Sequence, residues 1–316
     1  MDKALKIVST GRALPSHIMS NMELELIVDT SDQWIRERTG IESRRICTDD
    51  ENATTLAVEA GRKAIEEAQK RDTDFDIDKI AALIVATSSG EYYVPSIACQ
   101  VQKALDLPQE IMAFDLAAAC TGYVFGLKTA AALLDSFDES YALVIGTECL
   151  SSITDYTDRT TCILFGDGAG ASIVSLTNSD TPFWAKTWSD GNTKALTAIH
   201  GGKIAMEGQE IFRFATTVIT KTINTMLDKA NITMDDIDYI VCHQANARII
   251  DYVKRKFKGY EDKFFMNVAT MGNTSAASIP MAIAQMDEEG MLKPGMKLLC
   301  VGFGGGLTWG GALVLI

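Results

Sequence analysis

A cysteine, a histidine and an asparagine, each at an abrupt change of residue pattern, are the groups of this chain best placed to do covalent chemistry. Cys120 lies in IMAFDLAAACTGYVFG, residues 111–126. The apolar run 111–116 predicts a short buried strand, and Tyr123, Leu127 and Leu134 fit a helical pattern, so the thiol falls at a strand-to-helix turn. Free N–H groups at a helix start lower a thiol's pKa and can hold an oxyanion, which makes Cys120 a candidate nucleophile. The flanking alanines and Gly122 leave room for a substrate. A small core cysteine fits the same segment. His243, with His17 and His200 the only histidines, ends the strand-like run IDYIVCHQAN at 237–246 and enters a polar turn there. That position suggests a site, although a lone histidine is also compatible with simple packing. Asn273 lies in FFMNVATMGNTSAASIP, 264–280, which reads as apolar strand, small-residue turn and helix. On its own it is also a plausible helix cap or turn residue.

The elements that must position these groups occur twice. A helical stretch at 55–70 leads through DTDFDIDKI into the strand AALIVATSS. A second, at 211–229, leads through NITMDDID into YIVCHQAN. Each half continues with strand, small-residue turn and helix, and then with another apolar strand, YALVIGTE at 141–148 or KLLCVGFGGG at 297–306. This duplication places Cys120 and Asn273 at pseudo-equivalent helix starts, with His243 at a neighbouring strand end, and predicts a duplicated, layered α/β fold. The polar stretch 177–203 reads as a surface connection. The expected halves are 1–176, carrying the cysteine, and 177–316, carrying the histidine and asparagine.

Composition narrows the class. At 316 residues, the chain fits two fused halves of about 150 residues. Its 47% hydrophobic and 22% charged content is that of a soluble enzyme, and no apolar run is long enough for a membrane span. MDKALKIVSTG reads as a first strand and not a signal peptide. Seven cysteines without paired short spacings imply reduced thiols and a cytoplasmic location. Three scattered histidines and no Cys-x-x-Cys predict no metal site. A net charge of −13 argues against nucleic acid as a partner. Against that acidic body, Arg213, Arg248, Lys254, Arg255, Lys256 and Lys258 form a basic patch near His243 in sequence. For the lysines, docking and a merely solvated helix face stay equally open.

The chain resembles the thiolase-fold condensing enzymes, most closely β-ketoacyl-acyl-carrier-protein synthase III. The resemblance rests on SDQWIRERTGIESRR (31–45), DLAAACTGYVFGL (115–127), DRTTCILFGDGAGAS (158–172), MEGQEIFRFA (206–215), HQANARI (243–249), GNTSAASIP (272–280) and GFGGGLTWGGALV (302–314). It implies an αβαβα layered fold, a homodimer, and Cys120, His243 and Asn273 as the catalytic triad. Trp34 and Arg159 match positions that sandwich the adenine of coenzyme A, and Arg38 matches a phosphate contact. Asn246, Gly208 and Phe303 match its pantetheine tunnel. The family match also favours Arg213 and Arg248 as docking residues for acyl carrier protein. Val94 stands where the family commonly carries a bulky residue that reaches into the partner's acyl pocket, which implies room for a branched or longer primer. The segment 186–204 looks shorter than in typical members.

The expected chemistry has two steps. Cys120 takes an acyl group from an acyl-coenzyme A, with the N–H groups of Cys120 and Gly305 holding the oxyanion. A malonyl thioester on acyl carrier protein then loses CO2, and His243 and Asn273 stabilise the enolate as neutral donors, each worth roughly 3–4 kcal/mol. Coenzyme A is substrate here, and no resident cofactor is expected. A starter-unit condensing enzyme or acyltransferase of a secondary-metabolite pathway would share Cys120. A papain-like cysteine hydrolase also uses cysteine, histidine and asparagine, but its local signature is missing. A non-enzymatic interaction protein would have no need to retain all three groups.

Overall fold

The computed structural model describes residues 3–137 and 140–316. The first half supplies β1 (Lys3–Ala13), β2 (Ile80–Ala86), β3 (Met112–Leu116), β4 (Tyr141–Cys149) and β5 (Asp167–Asn178). The second supplies β6 (Trp184–Ser189), β7 (Tyr239–Cys242), β8 (Lys297–Gly304) and β9 (Thr308–Leu315). In β4 every residue after Tyr141 is buried, as expected of a strand covered on both faces.

Pairing repeats between the halves. Strand β1 runs antiparallel to β5 and β5 to β4, while β4 is parallel to β2 and β2 to β3. Likewise β6 runs antiparallel to β9 and β9 to β8, while β8 is parallel to β7 and β7 bridges in parallel to Phe264. The halves join where β1 meets β9, at the register pair Lys6–Leu315. The segment read from sequence as a surface connection therefore contains an edge strand, β6, the counterpart of β1. The expected division at 176 falls inside β5. The strand expected at the start of 264–280 shrinks to the single bridge at Phe264, because residues 268–271 close into a helical turn.

Helices fill three layers. Helix α1 (Asp32–Thr39) lies near the N-terminus. Helix α2 (Ala53–Arg71) starts at an Asn52–Thr55 capping box. It buries Leu56, Ala57, Ala60, Ala64 and Ala68 at helical spacing against the outer face of the first half. Helices α3 (Gly122–Leu134) and α6 (Ser278–Glu288) share the central core with strands of both halves. Helices α4 (Gly208–Ala230) and α5 (Ala247–Lys254) cover the outer face of the second. The result is the αβαβα layering. Among the described residues no helix is long and apolar enough to cross a membrane.

The two central helices begin alike. A residue with positive φ, Ala119 at 45° or Ser275 at 46°, opens a short 3-10 turn that runs straight into α3 or α6. Such a conformation costs an L-residue about 1–2 kcal/mol, and here it is held by the surrounding packing. Each turn lies under a glycine of the opposite half. A Cβ on Gly146 of β4 would overlap the Ala276 carbonyl, and one on Gly302 of β8 would come within 3.0 Å of the Thr121 Cα. This correspondence corrects the expected repeat register. The counterpart of Cys120 is Ala276; Asn273 enters the same turn three residues earlier.

Candidate active site

The 3-10 turn carries Cys120 to the end of β8. A Cβ on Gly304 would lie 2.8 Å from the Cys120 Cβ and 3.1 Å from its Sγ, so only glycine lets the strand end press against the thiol. Gly305 follows on the same turn, its carbonyl accepting from the Thr308 hydroxyl at 3.0 Å. His243 leaves β7 with its backbone N–H donated to the Val301 carbonyl at 2.8 Å. Its ring packs edge-on to Phe303 at 5.0 Å between centroids. Asn273 is clamped through its backbone to Leu164 and Gly166 at 2.8 and 3.0 Å. All three functional residues are buried, with exposures of 7% for Cys120, 1% for His243 and 7% for Asn273.

One residue that the sequence reading passed over links them. The Ser275 N–H donates to Asn273 Oδ1 at 3.0 Å, which turns the amide's NH2 end away as the free donor. The Ser275 carbonyl accepts from the Ser278 hydroxyl at 2.8 Å, and Ser278 Oγ lies 2.7 Å from His243 Nδ1. The turn that carries Ser275 also packs against the Cys120 turn, where a Cβ on Gly122 would lie 3.4 Å from the Ala276 Cβ. Ser278 therefore occupies the Nδ1 side of the imidazole and leaves Nε2 as its working end.

Electrostatics correct one expectation. Burial pushes the Cys120 thiol up to about 12, opposed only in part by the Ser275 hydroxyl and the cysteine's own N–H. The helix start does not make a free thiolate, because desolvation outweighs it. Burial also pushes His243 down to about 3, so its imidazole is neutral at any ordinary working pH.

A family model described as 3-oxoacyl-[acyl-carrier-protein] synthase III matches residues 114–191, and the model of that family's C-terminal region matches 227–316. A β-ketoacyl-[acyl-carrier-protein] synthase III of Clostridium acetobutylicum is 42% identical over 97% of each chain. The chain belongs to the β-ketoacyl-acyl-carrier-protein synthase III family. Among solved structures, the 3-oxoacyl-[acyl-carrier-protein] synthase III of Aquifex aeolicus superposes with a TM-score of 0.92 at 38% identity, covering 99% of this chain and 100% of that one. The priming β-ketosynthase of the R1128 polyketide pathway superposes with a TM-score of 0.92 at 29% identity, over 99% and 96% of the two chains. This synthase is thus a condensing acyltransferase with the thiolase fold.

The remaining expected residues fall into separate groups. Trp34, half-buried on α1, has two guanidinium groups over its ring, with Arg38 at 4.3 Å and Arg159 at 5.1 Å from the centroid. Arg159 also donates to the Asp29 carbonyl at 2.9 Å. Asn246 caps α5, accepting from the Arg248 N–H at 2.8 Å and donating to the Arg38 carbonyl at 3.0 Å. Both ends of its side chain are thereby engaged, and it ties α5 to α1. Gly208 opens α4, where a Cβ would meet the Met206 Cε at 3.9 Å, whereas Phe303 is buried against His243. Arg213 on α4 and Arg248 on α5 are exposed, with Arg248 lying 5.9 Å over Phe212. Arg255 and Lys256 flank Tyr252 at 6.0 and 5.1 Å. Val94 is 82% exposed, beside exposed Tyr92 and Tyr93.

Three possible metal ligands, scattered in sequence, do meet in space. The ligand atoms of Cys47, Cys149 and Asp167 lie within 4.8 Å of one another. Protein donors already fill the Asp167 carboxylate: the N–H of Cys47 at 2.8 Å, the N–H of Ser151 at 2.9 Å and the Ser151 hydroxyl at 2.6 Å. Sequence reasoning missed Ser275 and Ser278, which sit among small residues that give no local signal.

Proposed function

We propose that this synthase transfers an acyl primer from coenzyme A to Cys120 and condenses it with malonyl-acyl carrier protein to give a 3-oxoacyl product and CO2. The observation that carries the reading is the Ser275 turn, which links an oriented amide to a buried imidazole and packs against the turn of a buried thiol. In the first step the Cys120 sulfur attacks the thioester carbonyl, and the N–H groups of Cys120 and Gly305 receive the oxyanion. In the second, loss of CO2 places negative charge on the malonyl thioester oxygen. Asn273 Nδ2–H donates to it, and so does His243 Nε2–H in the neutral tautomer, in which the Ser278 hydroxyl turns from the Ser275 carbonyl to donate a hydrogen bond to Nδ1. The resulting carbon nucleophile attacks acyl-Cys120. These donors do the work without a resident cofactor.

Coenzyme A would enter past α1, its adenine meeting Trp34 and Arg159 and its phosphates Arg38. Asn246, Gly208 and Phe303 would line the descent towards Cys120. The carrier protein, itself acidic, would dock on the Arg213 and Arg248 surface. Reversing the charge of Arg248 is expected to raise the apparent constant for malonyl-carrier protein about three- to tenfold, with acyl-coenzyme A kinetics little changed, and wild-type carrier affinity should weaken with salt. Carrier binding that ignores salt would remove this docking surface.

The exposed Tyr92, Tyr93 and Val94 cluster is the kind of apolar surface that a second copy covers, and we read the active form as a homodimer. Val94 would then line the partner's acyl pocket. Incubation with a series of acyl-coenzyme A thioesters and malonyl-carrier protein, read by intact mass and product analysis, tests the whole reading. Acylation by acetyl and by branched or four- to six-carbon primers is expected, followed by 3-oxoacyl products. Val94→Phe should shift preference towards acetyl several-fold per carbon, since each buried methylene is worth roughly 0.8 kcal/mol. Acylation without condensation would refute the function; a fully active monomer or an unchanged primer profile would refute the role of Val94.

A further inference from the structure

Thr308 opens β9, just past the glycine run 304–306 that leaves β8. Its hydroxyl reaches both sides of the site. On one side the Gly305 carbonyl accepts from it at 3.0 Å. On the other it lies 3.3 Å from the Ala118 carbonyl and 3.0 Å from the hydroxyl oxygen of fully buried Thr121. The Thr121 hydroxyl in turn donates to the Thr308 carbonyl at 3.1 Å. The Ala118 carbonyl also accepts the Thr121 N–H at 3.1 Å, the bond that closes the 3-10 turn around Cys120. Thr308 and Thr121 thus latch the Gly305 turn of the second half to the Cys120 turn of the first. One donor stands in reach of a carbonyl on each turn.

That junction is where acyl transfer needs precision. The two oxyanion donors, the N–H groups of Cys120 and Gly305, come from different halves of the chain and must converge on one oxygen. Cys120 is fixed by a buried turn that runs into α3. Gly304, Gly305 and Gly306 have no Cβ to restrict them, and Gly306 stands at φ 130°, a value that glycine adopts readily. Strand pairing holds Gly304 opposite Thr308 but goes no further along the run. We propose that Thr308 is a positioning residue for acyl transfer: its hydroxyl ties the Gly305 carbonyl to the Cys120 turn and so keeps the Gly305 N–H aimed at the oxygen that the Cys120 N–H meets. The hydroxyl is engaged with protein groups, so it acts through the backbone and not on the acyl group. Its effect is confined to steps that build negative charge on the acyl oxygen. Attack of Cys120 on a carbonyl builds that charge; displacement of iodide by the same thiol does not. A misplacement of about 1 Å in such a site costs up to about a hundredfold in rate.

This inference rests on the acyl-transfer reading, so its test includes reagents that need no coenzyme A. Reactions of Cys120, located by peptide mapping, are compared in wild type, Thr308→Val and Thr308→Ser. They are acetyl transfer from acetyl-coenzyme A, acetylation by p-nitrophenyl acetate and alkylation by iodoacetamide. Valine keeps the branched shape and strand preference of threonine without the hydroxyl. Thr308→Val should lower the maximal rate of acetyl transfer, and the rate with p-nitrophenyl acetate, at least about tenfold. The apparent constant for acetyl-coenzyme A and the alkylation rate should stay within about twofold. Thr308→Ser restores the donor and should recover most of the loss. Unchanged acetylation in folded Thr308→Val overturns the proposal. So does an equal fall in alkylation, which is what a merely structural role predicts, and so does a loss that serine leaves in place. If Thr308→Val does not fold, Thr308→Ala goes through the same reactions with the same expected outcome. A wild type that p-nitrophenyl acetate acetylates and no acyl-coenzyme A does would refute the acyl-transfer reading, and the ester and iodoacetamide rates would still decide the role of Thr308.

Discussion

Cys120→Ala is expected to abolish the acyl-enzyme, a loss of at least about 10⁴-fold in transfer from acyl-coenzyme A. The fold should survive the change. The pseudo-equivalent position of the second half is already an alanine, Ala276, in a turn of the same shape. Intact mass should therefore show a folded protein that gains no acyl group, and peptide mapping of the wild type should place the acyl group on residue 120. The other thiols give the test its force. Cys99 is exposed and more reachable, and Cys149 and Cys162 are buried. An acyl group on any of them would overturn the assignment. Reachability would then have won over placement beside Gly304 and the Ser275 turn.

His243→Ala and Asn273→Ala should each suppress CO2 release from malonyl-carrier protein by at least about a hundredfold while acyl transfer to Cys120 stays measurable. Both groups are neutral donors to an oxygen that becomes negative only as CO2 departs. Because burial holds the imidazole down to about 3, CO2 release should show no histidine titration between pH 5 and 8. The two variants should differ in acylation. Asn273 Oδ1 also holds the Ser275 N–H, so its removal loosens the turn beside the thiol and should slow acyl transfer several-fold more than loss of His243. Collapse of acylation with decarboxylation intact would reverse the division of labour.

Much of this was legible in the chain. The 55–70 and 211–229 helices and the strands at 80–86, 141–149 and 297–304 follow from apolar runs and periodicity, because burial on one or both faces writes itself into local pattern. The duplication followed from the order of those elements. The segments around Cys120, His243 and Asn273 stood out because small residues at a strand-to-helix turn leave a reactive group room. Three features needed the tertiary structure. The repeat register is set by two positive-φ residues, Ala119 and Ser275, which composition does not mark. The state of the Cys120 thiol is set by desolvation, which depends on what surrounds the helix start and not on the helix itself. Ser275 and Ser278 become parts of a site only when β7 and two turns from opposite halves meet, as Gly146 and Gly302 allow. Sequence determines which groups are present and how each segment folds. Desolvation and hydrogen-bond partnership depend on distances between segments far apart in the chain, and those distances exist only once the layers have packed.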